Sequence, residues 1–170
     1  MTICVVSGYF NPIHPGHVSL IRDVKVKWPE SKLLVIVNND AQVHIKDSVP
    51  FMDEDSRCVI VSNVKGVDEA ILSIDQGDSV VQTLELIRKR FPKPIEIFFC
   101  NGGDRQSWVP ESDFCNSNYI SLQYGFGDEK SSSSSHLIEN AALFIGQRKF
   151  WRAFTDDLLS ELGIDNSNPK

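Results

Sequence analysis

Two histidines three residues apart, His14 and His17, are the side chains of this chain best placed to do chemistry. They stand in the stretch Thr2 to Trp28, TICVVSGYFNPIHPGHVSLIRDVKVKW. The run Ile3 to Val6 is rich in β-branched residues and ends at Gly8, as a buried parallel strand does. Leu20, Ile21, Val24 and Trp28 then recur at helical spacing until Pro29 closes the segment. The pattern predicts strand, loop and helix, with Gly16 and His17 in the first helical turn. Free backbone N–H groups and the positive end of the helix dipole favour an anion there. The two imidazoles can face that same anion. Phosphoryl and nucleotidyl transfer are catalysed mainly by positioning and by donors aimed at developing negative charge, so a phosphate held by both rings is a site for such chemistry.

Two plainer readings compete. His-x-x-His can be half of a zinc site, but the four cysteines, Cys4, Cys58, Cys100 and Cys115, show no ligand spacing, and no third and fourth partner stand out. They read as buried reduced thiols. The histidines can also be ordinary surface residues at a helix start. A pair with glycine between its members, placed just after a buried strand, favours catalysis.

The remaining chain must supply the scaffold. Lys32 to Asn38 is a second buried strand that runs into the Asn39-Asp40 turn, and the polar segment Ala41 to Pro50 carries Lys46. Asp53-Glu54-Asp55 opens a helical pattern through Arg57, Ile60, Val61 and Val64. Val67 to Ile74 is a third strand. Asp78 is the expected cap of a helix with a Val80, Leu84, Ile87 and Phe91 stripe, whose basic end Arg88-Lys89-Arg90 reads as solvated. Ile95 to Cys100 is a fourth strand opening into Asn101-Gly102-Gly103-Asp104-Arg105, and Tyr119 to Leu122 is a fifth. This alternation predicts an α/β fold, a Rossmann-like doubly wound five-stranded parallel sheet. Ser131 to Ser135 precede a helix that starts at His136, where hydroxyls cap free N–H groups and make a second anion site. The expected division is a domain over 1–145, a C-terminal amphipathic helix over 146–164 packed on the domain or on a second subunit, and a disordered tail over 165–170.

At 170 residues and 41% hydrophobic content, one α/β domain is the default. The net charge of −6 and a pI near 5.2 argue against binding nucleic acid or an anionic membrane surface. No apolar run approaches bilayer-spanning length, and the chain enters its first strand with no leader in front, so a cytoplasmic protein is expected.

Gly8-Tyr9-Phe10-Asn11-Pro12-Ile13-His14-Pro15-Gly16-His17 resembles the G-x-F-(D/N)-x-x-H-x-G-H signature of the HxGH nucleotidyltransferase superfamily, whose cytidylyl- and adenylyltransferases join a nucleoside triphosphate to a phosphorylated alcohol, sugar or cofactor precursor. The resemblance covers roughly 2–140. It implies that His14, His17 and Lys46 are catalytic, Lys46 from a loop that closes over substrate, and that Gly8, Tyr9, Phe10, Asn11 and Gly16 bind the nucleotide. Ser133, Ser134 and Ser135 match the hydroxyl-rich start of the family's final helix and would hold the triphosphate tail. Arg57 matches a downstream phosphate-binding arginine. Gly103, Asp104 and Arg105 resemble the Gly-Gly-Asp loop of glycerol-phosphate cytidylyltransferases and of the adenylyltransferases of heptose-nucleotide synthesis. Two departures stand out: Asn11 replaces a frequent Asp, and the arginine that leads the serine motif in cytidylyltransferases is absent, with Lys130 the candidate to take its place.

The expected enzyme is therefore a nucleotidyltransferase, cytidylyltransferase-like, that transfers CMP from CTP to a small phosphorylated or phosphonate alcohol or sugar and releases pyrophosphate. Mg²⁺ accompanies the triphosphate with few protein ligands, and a homodimer is implied. An adenylyltransferase using ATP on a sugar phosphate or cofactor precursor is the alternative within the class. A non-catalytic nucleotide-binding module is the alternative outside it, and tight binding without pyrophosphate release would mark it.

Overall fold

Each hydrophobic run read as a strand is one, and all five pair in parallel. In the computed structural model, which describes residues 1–46, 48, 50–103, 108–127 and 134–161, the strands are β1 (Thr2–Gly8), β2 (Lys32–Val37), β3 (Glu69–Leu72), β4 (Glu96–Gly102) and β5 (Ile120–Phe126). Their order in the sheet is β3-β2-β1-β4-β5. Alternate residues of one strand serve opposite faces. Ile3, Val5, Leu34, Ile36, Ile97 and Phe99 pack on one side, while Cys4, Val6, Leu33, Val35, Val37 and Cys100 pack on the other. Both faces are buried, which is why these strands read as nearly continuous apolar runs. Helix α1 (Pro15–Lys27) covers the second face with Leu20, Ile21 and Val24, and α3 (Glu54–Ser62) adds Val61. Helix α4 (Val81–Arg90) covers the first face with Leu84 and Ile87.

Winding reverses between β1 and β4, the central neighbours, so the chains leaving their carboxyl ends turn to opposite faces and open a crevice above the sheet. That crevice is where a ligand site of this fold belongs.

Three local expectations are corrected. The polar segment after β2 is not all loop: α2 spans Asp40–Ile45, because Asn39 caps it by accepting from the Gln42 N–H (2.9 Å) while the Gln42 amide oxygen accepts from the Asn39 N–H (3.2 Å). Asp78 does not cap α4. Asp75, fully buried, does so from further away, its carboxylate accepting from the N–H groups of Gln82 (2.7 Å) and Thr83 (3.0 Å). A short helix, α5 (Ser112–Ser117), lies where none was expected. Toward the C-terminus one continuous helix, α6, spans Ser134–Glu161. Its Gly146 alone costs a helix only about 1 kcal/mol, too little to break it. The chain has two compact units, Met1–Ser134 and Ser135–Lys170. The expected tail, 165–170, lies outside the described residues, as do the side chains of the apolar stripe from Phe150 onward. Among the described residues no helix is long and apolar enough to cross a membrane.

Candidate active site

At the exit of β1 the two histidines cap the helix they begin. His14 is the N-cap of α1, its backbone extended at φ −146° and ψ 169°, and Pro15 opens the helix. The His14 Nδ1 accepts from the Gly16 N–H at 3.2 Å, and the His17 Nδ1 accepts from the His14 N–H at 3.3 Å. The rings lie 3.9 Å apart, centroid to centroid, at 39°. Small oxygen-bearing side chains usually do this capping work, so spending two imidazoles on it points to a second use for the rings. With Nδ1 accepting on each ring, the proton of the neutral imidazole resides on Nε2. Each ring thus holds a donor on the side opposite the backbone.

Burial keeps both rings neutral. It holds the His14 pKa below the usual histidine value, and it drives His17 down to about 3, with the neighbouring His14 a lesser cause. The thermodynamic sign follows. Between about pH 6.5 and about pH 3 the unfolded chain binds a proton that folded His17 refuses, so stability is complete above that window and falls as pH descends through it. Each pH unit inside the window costs up to about 1.4 kcal/mol from His17. Urea unfolding at pH 7 and pH 5 should therefore show the wild type losing roughly 1–2 kcal/mol more than His17→Asn. Equal losses would mean that His17 is not desolvated.

The loop that delivers the rings is held under strain. Phe10 is 1% exposed yet has φ +49°, a left-handed conformation that costs a bulky residue of order 1–3 kcal/mol. In return its ring lies 4.6 Å from the His17 ring and closely over Gly8, where a Cβ would come within 3.1 Å of it. Asn11 is buried, and its Oδ1 accepts from the Phe51 N–H. The amide at this position, where the resemblance led one to look for a carboxylate, thus ties the loop to the segment ahead of α3. Gly16 is where a side chain would strike His14: a Cβ would lie 3.0 Å from Cε1 of that ring.

Lys46 follows α2 as its C-cap, and its Nζ lies 4.7 Å above the Tyr9 ring, on the residue next to the strained Phe10. The cation thus stands over the histidine loop. Ser134 donates its hydroxyl to the Pro12 carbonyl at 2.9 Å, which brings the end of the serine run to that loop as well. Gly102 and Gly103 close the other wall of the crevice. A Cβ at Gly102 would meet the Phe126 carbonyl oxygen at 3.1 Å, and Gly103, at φ +69°, donates to that carbonyl. The structure therefore brings together Gly8, Tyr9, Phe10, Asn11, His14, Gly16, His17, Lys46 and Ser134. Asp104, Arg105, Lys130 and Ser133 lie outside the described residues, as does the side chain of Ser135.

Arg57 lies beneath the loop with its guanidinium turned inward. It is 1% exposed, and its guanidinium donates to the carbonyls of Tyr9 and Asn38 (both 2.6 Å) and Met52 (3.2 Å) and to Asp40 Oδ1 (2.6 Å). Four of its five donors are spent inside the protein. Ser19 and Asp23 of α1 escaped notice altogether. Ser19 donates to the Gly16 carbonyl (3.1 Å), and Asp23 accepts from the Gly127 N–H (3.0 Å), so the exit of β5 is fastened to the helix of the histidines. Gly127, at φ +82°, was the available signal for that close approach.

Comparison with known proteins gives the family and the fold. The family model described as Cytidylyltransferase-like matches residues 5–113. FAD synthase of Methanosphaera stadtmanae is 34% identical over 109 residues, 64% of this chain and 67% of that protein. FAD synthase of Aciduliprofundum boonei is 34% identical over 88 residues, 52% of this chain and 56% of that protein. FAD synthase of Methanobrevibacter ruminantium is 31% identical over 110 residues, 64% and 70% of the two chains. The matched stretch thus spans between half and about two thirds of these relatives. The crystal structure of the lipopolysaccharide core biosynthesis protein from Thermoplasma volcanium GSS1 superposes with a TM-score of 0.59 at 23% identity, covering 77% of this chain and 99% of that one, a likeness of fold. With more than half of its length matched, this chain belongs to the cytidylyltransferase-like family of nucleotidyltransferases.

Proposed function

We propose that the chain is an adenylyltransferase: it transfers the AMP moiety of ATP to the phosphate of a small acceptor, flavin mononucleotide being the first candidate, and releases pyrophosphate. The relatives named for FAD synthesis favour ATP over the CTP that the sequence motifs suggested. The observation that carries the reading is the reciprocal capping of His14 and His17, which leaves a neutral Nε2–H donor on each of two adjacent rings.

An acceptor phosphate oxygen forms a bond to the α-phosphorus of the nucleotide. The bond from that phosphorus to the bridging oxygen of the β-phosphate breaks, and pyrophosphate leaves with the electron pair. The attacking oxygen is already ionised near neutral pH, so no general base is needed. What the protein must supply is alignment and stabilisation of charge on the α-phosphate. His14 and His17 donate through Nε2 to its non-bridging oxygens. Lys46 spans the acceptor and nucleotide phosphates. By the resemblance, Ser134, Ser133 and Ser135 would take the leaving pyrophosphate, and Gly103, Asp104, Arg105 and Lys130 would contact the acceptor or the base. Mg²⁺ brought in with the triphosphate would screen its charge. Among the described residues no three carboxylate, imidazole or thiol groups cluster as a metal site. The same reading takes the enzyme as cytoplasmic and homodimeric, with the exposed Leu143, Phe144 and Ile145 of α6 as an apolar contact.

Pyrophosphate release should be measured with ATP or CTP, each against flavin mononucleotide and a phosphorylated polyol. The expected outcome is release with ATP and flavin mononucleotide, with FAD as the chromatographed product. Release only with CTP and the polyol would restore the cytidylyl reading, and nucleotide binding without release from any acceptor would reduce the chain to a binding module.

A further inference from the structure

We propose that Arg57 is a positioning residue for the transfer reaction, fastening the histidine loop to the helix that carries Lys46; the inference rests on the function proposed above. The chain leaves β1 and β2 side by side, and the carbonyls of Tyr9 and Asn38, just past the ends of those strands, lie beyond the sheet ladder. The Arg57 guanidinium takes both, each at 2.6 Å, from a single Nη1. Its Nη2 donates to Asp40 Oδ1 at 2.6 Å, and Asp40 is the first residue of α2, whose C-cap is Lys46. The pair is locked in turn to α3: the Asp40 N–H donates to Glu54 Oε2 (2.8 Å), and the Glu54 N–H donates to Asp40 Oδ2 (3.3 Å). One fully buried cation thus sits between the strained Tyr9–Phe10 step on one side and α2 on the other.

A guanidinium is required for this arrangement. Its donors lie in one plane, in a rigid fork, and reach three carbonyls and a carboxylate at once, whereas a lysine ammonium offers three donors from a single point. Lysine at 57 would retain the charge opposite Asp40, release at least one of the three carbonyls and lose the planar fork that aligns the others. The Tyr9 carbonyl is the one that matters for chemistry, because Phe10 next to it holds the His17 ring. A displacement of about 1 Å in a catalytic group is enough to cost up to about 100-fold in rate.

The test uses Arg57→Lys and the milder Asp40→Asn, each compared with wild type by kcat, by KM for ATP and by imidazole ¹⁵N chemical shifts of His14 and His17. Arg57→Lys is expected to lower kcat roughly ten- to thirtyfold with KM for ATP changed less than threefold, and Asp40→Asn to lower kcat three- to tenfold in the same manner. In both variants the imidazole shifts should move from the single Nε2–H tautomer toward a tautomer mixture, a readout that needs no turnover and so separates this inference from the choice of substrate. Should Arg57→Lys not fold, the kcat and shifts of Asp40→Asn decide the matter alone. A rise in KM for ATP of thirtyfold or more at unchanged kcat would make Arg57 a phosphate ligand and overturn the inference. Folded variants with wild-type kcat and unmoved imidazole shifts would overturn it too.

Discussion

Replacing His17 with Asn is expected to lower kcat by 10² to 10³-fold while the protein remains folded, and replacing it with Gln is expected to recover part of the loss. The two amides divide the imidazole between them. Asn places an oxygen near the Nδ1 position and can keep accepting from the His14 N–H, now 3.3 Å from Nδ1, but has nothing where Nε2 stood. Gln reaches the Nε2 position with an N–H donor and gives up the cap. Removing one preorganised donor from a site of developing negative charge costs about 2.7–4 kcal/mol of transition-state stabilisation, whereas losing a helix cap costs about 1 kcal/mol of stability. The roles therefore separate: Asn should be stable and slow, Gln less stable and faster. Single-turnover rates with ATP and the best acceptor, beside urea unfolding of each variant, measure both. If Asn is as fast as wild type, or Gln slower than Asn, the Nε2–H donor is not what the reaction uses.

The first βα unit was legible because its signals are local. An apolar run, a glycine, a proline at the first helical position and an apolar stripe are all read within 28 residues, and the structure has β1, the histidine loop and α1 in that register. The strands were legible for a related reason: in a sheet buried on both faces the whole run is apolar, so no alternation has to be resolved. Where the capping group lies close in sequence to the helix it caps, as Asp53 does for α3, the expectation of acidic residues at its start was met as well.

What escaped depended on partners distant in sequence. Asp78 looked like the cap of α4 because it stands just ahead of it, but Asp75 fills the role from the end of β3, held there by Ser73 and Thr83. Helix α2 has only one buried apolar residue, Val43, and owes its existence to Asn39 and to a Gln42 side chain whose amide nitrogen donates to the carbonyls of Gly77 and Ser79, both at 2.8 Å. Arg57 is the instructive case. A cation near the start of a helix, in a chain expected to bind triphosphates, invites a phosphate. Yet 57, 61 and 64 fall on one helical stripe, and Val61 and Val64 face the core. That spacing already placed Arg57 on the buried face, where a cation persists only with its donors satisfied.

Gly16→Ala should abolish most activity without unfolding anything: about a 100-fold loss in kcat, with stability within about 1 kcal/mol of wild type, the helix gain and the lost cap offsetting each other. Gly16 is the second residue of α1, where an alanine suits the helix better than glycine by about 0.5–1 kcal/mol. The new methyl meets no backbone. Its nearest neighbours are Cε1 and Nδ1 of the His14 ring, at 3.0 and 3.1 Å. That ring is the end of a side chain and can swing aside cheaply, so the fold has no reason to fail. The movement breaks the 3.2 Å bond from the Gly16 N–H, frees the tautomer and takes the Nε2 donor off its target. A glycine between two histidines is thus demanded by the position of the first ring rather than by the backbone, and only a variant that is at once stable and slow agrees with that account. If Gly16→Ala turns over like wild type, the ring found 3.9 Å from His17 is not the ring that acts. If it unfolds, the glycine serves the helix and the argument from the imidazole falls.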